Sequence, residues 1–192
     1  MSLPILTLDE RILSPRLGYV FDRRCVNPYE SIVGMLWKFA RVNALPGHTV
    51  VSQICHGPVD PYLGIAPADV NIRAVASLLG LTQGRVREGL GTMRPDVSTH
   101  LRYCSKCAAS GYHSTLHQLS RFERCPLHCE PIKSECRSCR RTSSYRLDAQ
   151  LLDAPFRCRH CRRHYASSGN AAMRLRSLAS HERVAVTRAW MT

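Results

Sequence analysis

The chain has 192 residues, of which 27 are Lys or Arg and 14 are Asp or Glu, and its formal net charge is +13 at pH 7. This length suits one large domain or two small ones. No secretory signal and no apolar run near the ~20 residues of a membrane span can be recognised. These features exclude a transmembrane protein and predict a cytoplasmic protein without membrane contact.

The positive charge is carried by arginine and is unevenly distributed. Arginine accounts for 24 of the basic residues and lysine for 3. Residues 102–192 hold 17 basic and 6 acidic residues, whereas residues 1–101 hold 10 and 8. An Arg-rich surface of this density favours contact with a polyanion such as nucleic acid. The alternative is a GC-rich genome and a basic face that is merely solvated.

The first part of the chain divides into a predicted N-terminal arm, residues 1–26, and a predicted helical domain, residues 27–101. Asn27 and Pro28 are typical of a helix start, with Asn27 as the cap and Pro28 at the first helical position. Apolar residues then recur at helical spacing to about Ala44. We therefore expect an amphipathic helix that places Trp37 in the core.

A helix-turn-helix pattern follows. Asp69–Leu79 is predicted to be helical, Gly80 supplies a left-handed C-terminal cap, and Thr82 caps the next helix. A helix, the turn Gly-Leu-Thr and a second helix match the bihelical DNA-binding unit. The alternative is a helical pair that only packs or binds protein. In a DNA-binding unit, three side chains of the second helix would face nucleic acid: Gln83, Arg85 and Arg87.

Residues 102–168, reached through a predicted linker over 91–103, contain four pairs of metal-binding residues, each with two residues between the ligands. We call these pairs knuckles. They are Cys104/Cys107, Cys125/His128, Cys136/Cys139 and Cys158/Cys161. Seventeen residues separate the first two knuckles and eighteen the last two, which is zinc-ribbon spacing. The pattern predicts tandem zinc-ribbon modules that hold two structural Zn(II) ions; disulfides, redox pairs and an iron–sulfur cluster are the alternatives.

Other Cys and His residues near the knuckles leave one alternative open. Cys129 directly follows His128 and is the alternative fourth ligand of the first site, although His128 keeps the knuckle spacing. His113 and His117 are spaced like a helical metal pair, but with better ligands nearby we expect them to pack and form hydrogen bonds.

The densest basic region surrounds the second predicted zinc ion. Six arginines there are further candidates for nucleic-acid contact: Arg137, Arg140, Arg141, Arg159, Arg162 and Arg163. Arg146 and Arg157 belong to the same cluster. Residues 169–192 are predicted to form a C-terminal helix that docks on the domain or binds a partner. The predicted fold is thus an N-terminal helical helix-turn-helix domain followed by tandem zinc fingers and a C-terminal helix.

Several of these segments together resemble the TniQ/TnsD family. Residues 27–40, with the sequence NPYESIVGMLWKFA, resemble the family's N-terminal helix. Residues 102–107, 111–114 and 123–128 resemble its first zinc finger, and the knuckles at Cys136/Cys139 and Cys158/Cys161 match its second. The resemblance extends from residue 17 to about residue 166.

The resemblance implies a role in target-site selection during bacterial transposition. Such proteins are adaptors that link a site-recognising module, either a DNA sequence reader or an RNA-guided CRISPR complex, to the AAA+ regulator of the transposase. It implies a bacterial protein that acts at the nucleoid, with DNA and the AAA+ transposition regulator as partners. Longer members carry further C-terminal DNA-binding modules, and the chain is expected to lack such a region.

Two other functions, transcriptional regulation and catalysis, are alternatives to the adaptor. A transcriptional regulator would recognise an operator through Gln83, Arg85 and Arg87, without an ATPase partner. An enzyme would need an open metal position or a carboxylate cluster, whereas both predicted sites are closed and the 14 acidic residues are scattered. We therefore predict a protein without catalytic activity.

Overall fold

The computed structural model describes residues 18–91, 96–166 and 177–191. Its β structure in these ranges is limited to isolated antiparallel bridges. The chain there is mainly helical, with seven α-helices: α1 (Ile32–Val42), α2 (Gly47–Ile54), α3 (Ile72–Leu79), α4 (Gln83–Leu90), α5 (Ser105–Ala109), α6 (Ala149–Leu152) and α7 (Ser180–Met191). Most of the predicted arm, part of the predicted linker and residues 169–176 of the predicted C-terminal helix lie outside the described residues. Within the described residues that helix begins at Ser180.

Helix α1 begins later than predicted, and the predicted cap at Asn27 is wrong. Ser31 is the N-cap, and its hydroxyl accepts a hydrogen bond from the Gly34 N–H at 3.0 Å. Tyr29 has a φ of 51°, in the left-handed region, so a right-handed helix cannot run through it. Asn27 has another role, because its side-chain oxygen accepts a hydrogen bond from the Leu178 N–H at 2.7 Å.

A fully buried ion pair fixes the start of α1. The Lys38 ammonium lies 2.7 Å from Glu30 Oε1, and both side chains are 0% exposed. Lys38 also donates to the Cys25 carbonyl at 2.6 Å, and Glu30 Oε2 accepts from the Asn27 N–H at 2.8 Å. Burial raises the pKa of Glu30, and the nearby Lys38 opposes that rise. Removal of either partner would leave a buried charge without compensation.

The pair α3–α4 forms with the predicted turn. Gly80 has a φ of 63° and closes α3, and the Thr82 hydroxyl accepts from the Arg85 N–H at the start of α4. Helix α3 is shorter than predicted, because Asn71 caps it and Pro67–Asp69 forms a separate 3-10 turn. The two helices pack against each other, and Val86 and Leu90 are buried as expected.

We call the part of the chain that holds the two clusters, residues 104–165, the Cys-rich region. One continuous hydrophobic core joins the helical region to the second half of the Cys-rich region, which holds Cys136 to Cys161. Trp37 is 1% exposed, and its indole N–H donates to the Leu151 carbonyl at 2.7 Å. Its ring packs on Phe156 at a centroid distance of 4.8 Å. Tyr145, Leu147 and Tyr165 belong to the same core. The core therefore crosses the boundary that the sequence predicts at residue 101.

A second, smaller core covers the first half of the Cys-rich region. It contains Tyr112, Leu116 and Leu119, together with Leu178 and Val186 from the C-terminal segment. Further along α7, the Trp190 ring stacks on Tyr29 with a centroid distance of 4.9 Å. Helix α7 thus docks on the domain, which was one of the two roles predicted for it.

The described part of the predicted linker, residues 96–103, joins the two halves of the Cys-rich region. Antiparallel bridges connect Val97 to Leu119, His100 to Ser144 and Tyr103 to Lys133. Leu101 and Tyr103 are buried. Because this stretch pairs with both halves, it is part of the folded core.

No helix among the described residues is long and apolar enough to cross a membrane.

Two glycines of α4 predict opposite effects of the same substitution. A Cβ at Gly89 would lie 2.7 Å from Met35 Cε and 2.9 Å from the Glu30 carbonyl oxygen, whereas at Gly84 it would meet only Thr82 Oγ1 at 3.8 Å. We expect Gly89→Ala to lower the free energy of unfolding by about 1–3 kcal/mol through overpacking. Gly84→Ala should raise it by about 0.5–1 kcal/mol through helix propensity.

Chemical denaturation of the two variants beside the native protein measures both effects. Equal effects of the two substitutions would contradict the tight packing of α4 on the start of α1.

Candidate metal centres

The first cluster is assembled from a short helix and a tight turn. Cys104 directly precedes α5 and Cys107 lies within it. Cys125 and His128 lie on a turn that is closed by a bridge between Arg124 and Pro131. The four ligand atoms all lie within 4.8 Å of one another. The cluster contains His128, whereas Cys129 is exposed and outside it.

The distances in the first cluster suit a tetrahedral ion. The Cys107 and Cys125 sulfurs are 3.6 Å apart. His128 Nδ1 lies 3.5 Å from the Cys104 sulfur, 3.3 Å from that of Cys107 and 3.7 Å from that of Cys125. Tetrahedral coordination with ordinary Zn–S and Zn–N lengths implies separations of ~3.8 Å between sulfurs and ~3.6 Å between sulfur and nitrogen. The cluster could therefore hold one metal ion of zinc's size.

The second cluster is built from four cysteines on two similar turns. The Cys136 and Cys161 sulfurs are 3.6 Å apart, and those of Cys139 and Cys158 are 3.7 Å apart. The four sulfurs lie within 4.8 Å of one another. In each turn a backbone N–H points at the first sulfur, from Ser138 to Cys136 and from His160 to Cys158, both at 3.4 Å. Such N–H groups stabilise thiolates, so this cluster too could hold a structural metal ion.

Three of the four knuckles share one backbone turn. The N–H of the residue after the second ligand donates to the carbonyl of the first ligand, at 2.8–2.9 Å. That residue has a left-handed conformation in each case, at Cys129 (φ 53°), Arg140 (φ 61°) and Arg162 (φ 61°). Cys129 therefore has a structural place in the turn, which explains why a residue adjacent to a ligand does not enter the cluster.

Two buried histidines, His113 and His117, lie beside the first cluster. Burial lowers the pKa of His113 to about 4 and that of His117 to about 3, so both are neutral at pH 7. His117 Nδ1 accepts from the Ser114 N–H at 3.3 Å, which leaves its Nε2–H facing the Cys125 sulfur at 3.7 Å. His117 thus donates to Cys125, a candidate metal ligand, and is not itself a member of the cluster.

His113 connects the segment around the first cluster to the start of α1 through hydrogen bonds. Its Nε2–H donates to the Arg102 carbonyl at 2.7 Å. Its Nδ1 must then accept from the Ser31 hydroxyl, 2.5 Å away, while Ser31 accepts from the Gly34 N–H. The predicted packing and hydrogen-bonding roles of His113 and His117 are confirmed, but their spacing in the sequence did not reveal which groups they contact.

Metal binding at the first cluster competes with protons. Hydrogen bonds to the sulfurs of Cys104 and Cys125 raise the pKa of His128 to about 10. The same ring nitrogen would bind the metal, so an ion must displace a proton there. Affinity for the metal is therefore expected to fall as the pH falls.

Some of the candidate nucleic-acid residues form hydrogen bonds or ion pairs within the protein, and the others do not. The Arg159 guanidinium lies 2.7 Å from Asp148, with the two side chains 10% and 3% exposed, so it is a structural residue and not an available contact. Arg85 is paired with Glu88 and donates to the Asn27 carbonyl at 2.9 Å. Arg87 donates to Gln83 at 3.2 Å on the exposed face of α4.

Six arginines around the second cluster are exposed and form no side-chain hydrogen bond or ion pair with the residues that the structure describes. They are Arg137, Arg140, Arg141, Arg157, Arg162 and Arg163. Arg146 differs, because it donates to the carbonyls of Leu63 and Gly64. The predicted basic cluster therefore divides into structural and available members, a division that its sequence pattern alone does not show.

No protein-family model matches the chain, and no curated protein matches it.

The metal content of purified protein tests the two clusters. We expect two metal ions per chain in the native protein, measured by elemental analysis. Cys139→Ser should reduce the content to about one ion, because three ligands remain at the second cluster. Cys129→Ser is the matched control and should leave both ions in place. Loss of one ion in the control would mean that Cys129, not His128, completes the first cluster.

The hydrogen bond from His117 to the Cys125 sulfur predicts tighter binding of a metal ion at the first cluster. His117→Phe removes the donor to Cys125, and we expect the affinity of the first site to fall by about 10–100-fold. Gln can both accept from Ser114 and donate to the sulfur, so His117→Gln should lose less. His160→Gln is the control, because the His160 ring forms a hydrogen bond with the Thr142 carbonyl at 3.0 Å and lies outside the first cluster. Competition with a chromogenic chelator measures all three; equal affinities would show that His117 only fills space.

Proposed function

We propose that both clusters hold structural Zn(II). Thiolate and imidazole donors suit zinc, and the donor separations match tetrahedral coordination by an ion of that size. Four protein ligands at each site would leave no coordination position open to substrate. The ions would hold together the loops that connect the knuckles, where the described chain has only short helices and isolated bridges.

We further propose that the protein is a non-enzymatic adaptor for target selection in bacterial transposition, of the TniQ/TnsD type. It would bind DNA, a targeting complex such as an RNA-guided CRISPR effector, or both, and recruit the AAA+ transposition regulator. The observation that carries the DNA part is the set of six exposed arginines without intramolecular partners around the second cluster. The sequence motifs of the first helix and of both metal modules support the family and its cytoplasmic, nucleoid-associated location.

The distribution of charged groups supports a binding role over catalysis. Within the described residues, the two four-ligand clusters are the only groups of three or more His, Cys, Asp or Glu that could hold a metal ion. A two-metal nuclease or transposase centre needs a cluster of carboxylates. Asp148, one of the buried carboxylates, is paired with Arg159, and Glu30 is paired with Lys38. Both are engaged in structural contacts.

A second candidate function is transcriptional regulation through α3–α4. The turn Gly80-Leu81-Thr82 and the packing of the two helices support this candidate, since a helix-turn-helix unit needs two packed helices joined by a short turn. The contacts of Arg85 with Glu88 and Asn27 oppose it, because they occupy one of the three side chains that would face the bases. We call the regions around the first and second clusters the first and second modules; the second contains Cys136, Cys139, Cys158 and Cys161. We therefore place the main DNA contact at the second module.

Binding to duplex DNA should depend steeply on salt. If six arginines contact phosphates, the affinity should fall by about 10³-fold or more between 50 and 200 mM salt. Fluorescence anisotropy with duplexes of unrelated sequence measures this. The AAA+ regulator in its nucleotide-bound form should then be retained on immobilised DNA only when the protein is present.

Substitutions on α4 separate the two candidate functions. The adaptor hypothesis predicts that Gln83→Ala together with Arg87→Gln changes DNA affinity by less than about threefold, since those residues would contact few phosphates. A large loss that is confined to one short sequence, with no retention of the ATPase, would favour the transcriptional regulator. A flat response of the native protein to salt would contradict DNA binding by either surface.

A further inference from the structure

The two knuckles of the second cluster carry the same six-residue pattern. Residues 136–141 have the sequence CRSCRR and residues 158–163 have the sequence CRHCRR. Each knuckle therefore has one arginine between the ligands and a pair of arginines directly after the second ligand. We call Arg140/Arg141 and Arg162/Arg163 the two arginine pairs.

The backbone repeats with the sequence. The first ligand's N–H donates to the carbonyl of the second arginine of the pair, from Cys136 to Arg141 and from Cys158 to Arg163, both at 2.9 Å. The first arginine of each pair has a φ of 61°. Each turn supplies two of the four sulfurs of one cluster. Since the two turns share their backbone hydrogen bonds and this φ, the two arginine pairs are attached to equivalent backbone.

The arginines between the ligands do not share this equivalence. Arg159 is held by Asp148 at 2.7 Å and donates to Gln150 at 3.0 Å. Its counterpart Arg137 is exposed and lines an open groove of about 570 Å³ with Lys133 and Arg140. The repeated and exposed feature is therefore the arginine pair after the second ligand.

The first module lacks an arginine pair at the corresponding turn. Its knuckle at Cys125/His128 has the same turn, closed by the Cys125 N–H to the Glu130 carbonyl at 2.9 Å. The two positions that correspond to an arginine pair are occupied by Cys129 and Glu130. Glu130 is a carboxylate that pairs with Lys106 at 3.1 Å. The same backbone therefore presents cations in one module and none at these positions in the other.

Neutralisation of the metal centre does not account for the arginines. Four thiolates and Zn(II) would carry two negative charges. Residues 133–164 contain nine Lys or Arg and three Asp or Glu, so a clear positive surplus is left after the metal centre is balanced. Exposed arginines with no intramolecular partner are suited to bidentate contact with phosphate oxygens.

We propose that the second module binds the phosphate backbone of duplex DNA through its two arginine pairs, which act as equivalent contacts, while the first module makes no phosphate contact at the corresponding turn. This inference rests on the proposed DNA-binding function and assigns that function to one of the two tandem modules. The first module instead supports the fold, because α7 and the residues around Ser31 pack against it.

Double substitutions of each pair provide the test. Arg140→Gln with Arg141→Gln, and separately Arg162→Gln with Arg163→Gln, should each weaken binding to a duplex by about tenfold or more in low salt. Each should also reduce the slope of log affinity against log salt by about one to two, since each phosphate contact contributes ~0.9. Fluorescence anisotropy over a series of salt concentrations gives both quantities, and metal content and circular dichroism check that each variant is folded.

Two controls separate local contact from net charge. Arg73→Gln with Arg188→Gln removes two exposed charges elsewhere in the described chain, and should reduce the slope by less than either pair does. Cys129→Ser with Glu130→Gln alters the corresponding turn of the first module, and should leave the salt slope unchanged.

The outcomes distinguish this inference from the function on which it rests. If the native protein fails to bind any nucleic acid, the proposed DNA-binding function fails. If it binds duplex DNA but only one arginine pair matters, or if the charge control has the same effect as the pairs, the assignment to two equivalent contacts is overturned and DNA binding stands. If single-stranded DNA or RNA binds more tightly with the same dependence on the pairs, duplex DNA is the wrong ligand.

Discussion

The convergence of four ligands at each of two points is the constraint on which the Cys-rich region depends. Between Cys104 and Tyr165 the described chain has two short α-helices, one 3-10 turn and isolated bridges. Most of its other backbone hydrogen bonds lie in turns and loops, and a segment of this size would bury little apolar surface if it stood alone. The knuckles bring together loops that are distant in the sequence, and metal binding there would contribute on the order of 10 kcal/mol to folding.

The metal clusters are also coupled to the helical region through buried polar groups. The bonds among Gly34, Ser31, His113 and Arg102 run from the first turn of α1 to the segment that enters the first knuckle. On the other side, Trp37 packs on Phe156, close to Cys158 in the sequence, within one continuous core. A buried network of this kind stabilises the fold only when each member is satisfied. The helical region and the Cys-rich region are therefore joined by a shared core and by buried hydrogen bonds.

The features that could be predicted from the sequence depend on local spacing. The knuckles identify both clusters because two residues between ligands suffice to direct two side chains to one point, and Gly80 and Thr82 mark the turn between α3 and α4 because capping is local. The cap of α1 was mispredicted because the left-handed backbone at Tyr29 is set by contacts that Asn27 and Glu30 make elsewhere. Likewise, the pairing of Arg159 with Asp148 depends on tertiary contact, so composition identifies a basic cluster but not its available members.

The shared turn explains how two similar modules could acquire different surfaces. A bound metal ion would constrain the ligands and the backbone conformation of the residue that follows them, but that residue's side chain is exposed at Cys129, Arg140 and Arg162 alike. Substitution there would change the surface charge without altering the four ligands. A left-handed conformation favours glycine, so a larger side chain at this position carries a modest conformational cost. At Arg140 and Arg162 the backbone hydrogen bond to the carbonyl of the first ligand offsets that cost. Their guanidinium groups have no partner inside the described fold, which is why we assign them to an external phosphate.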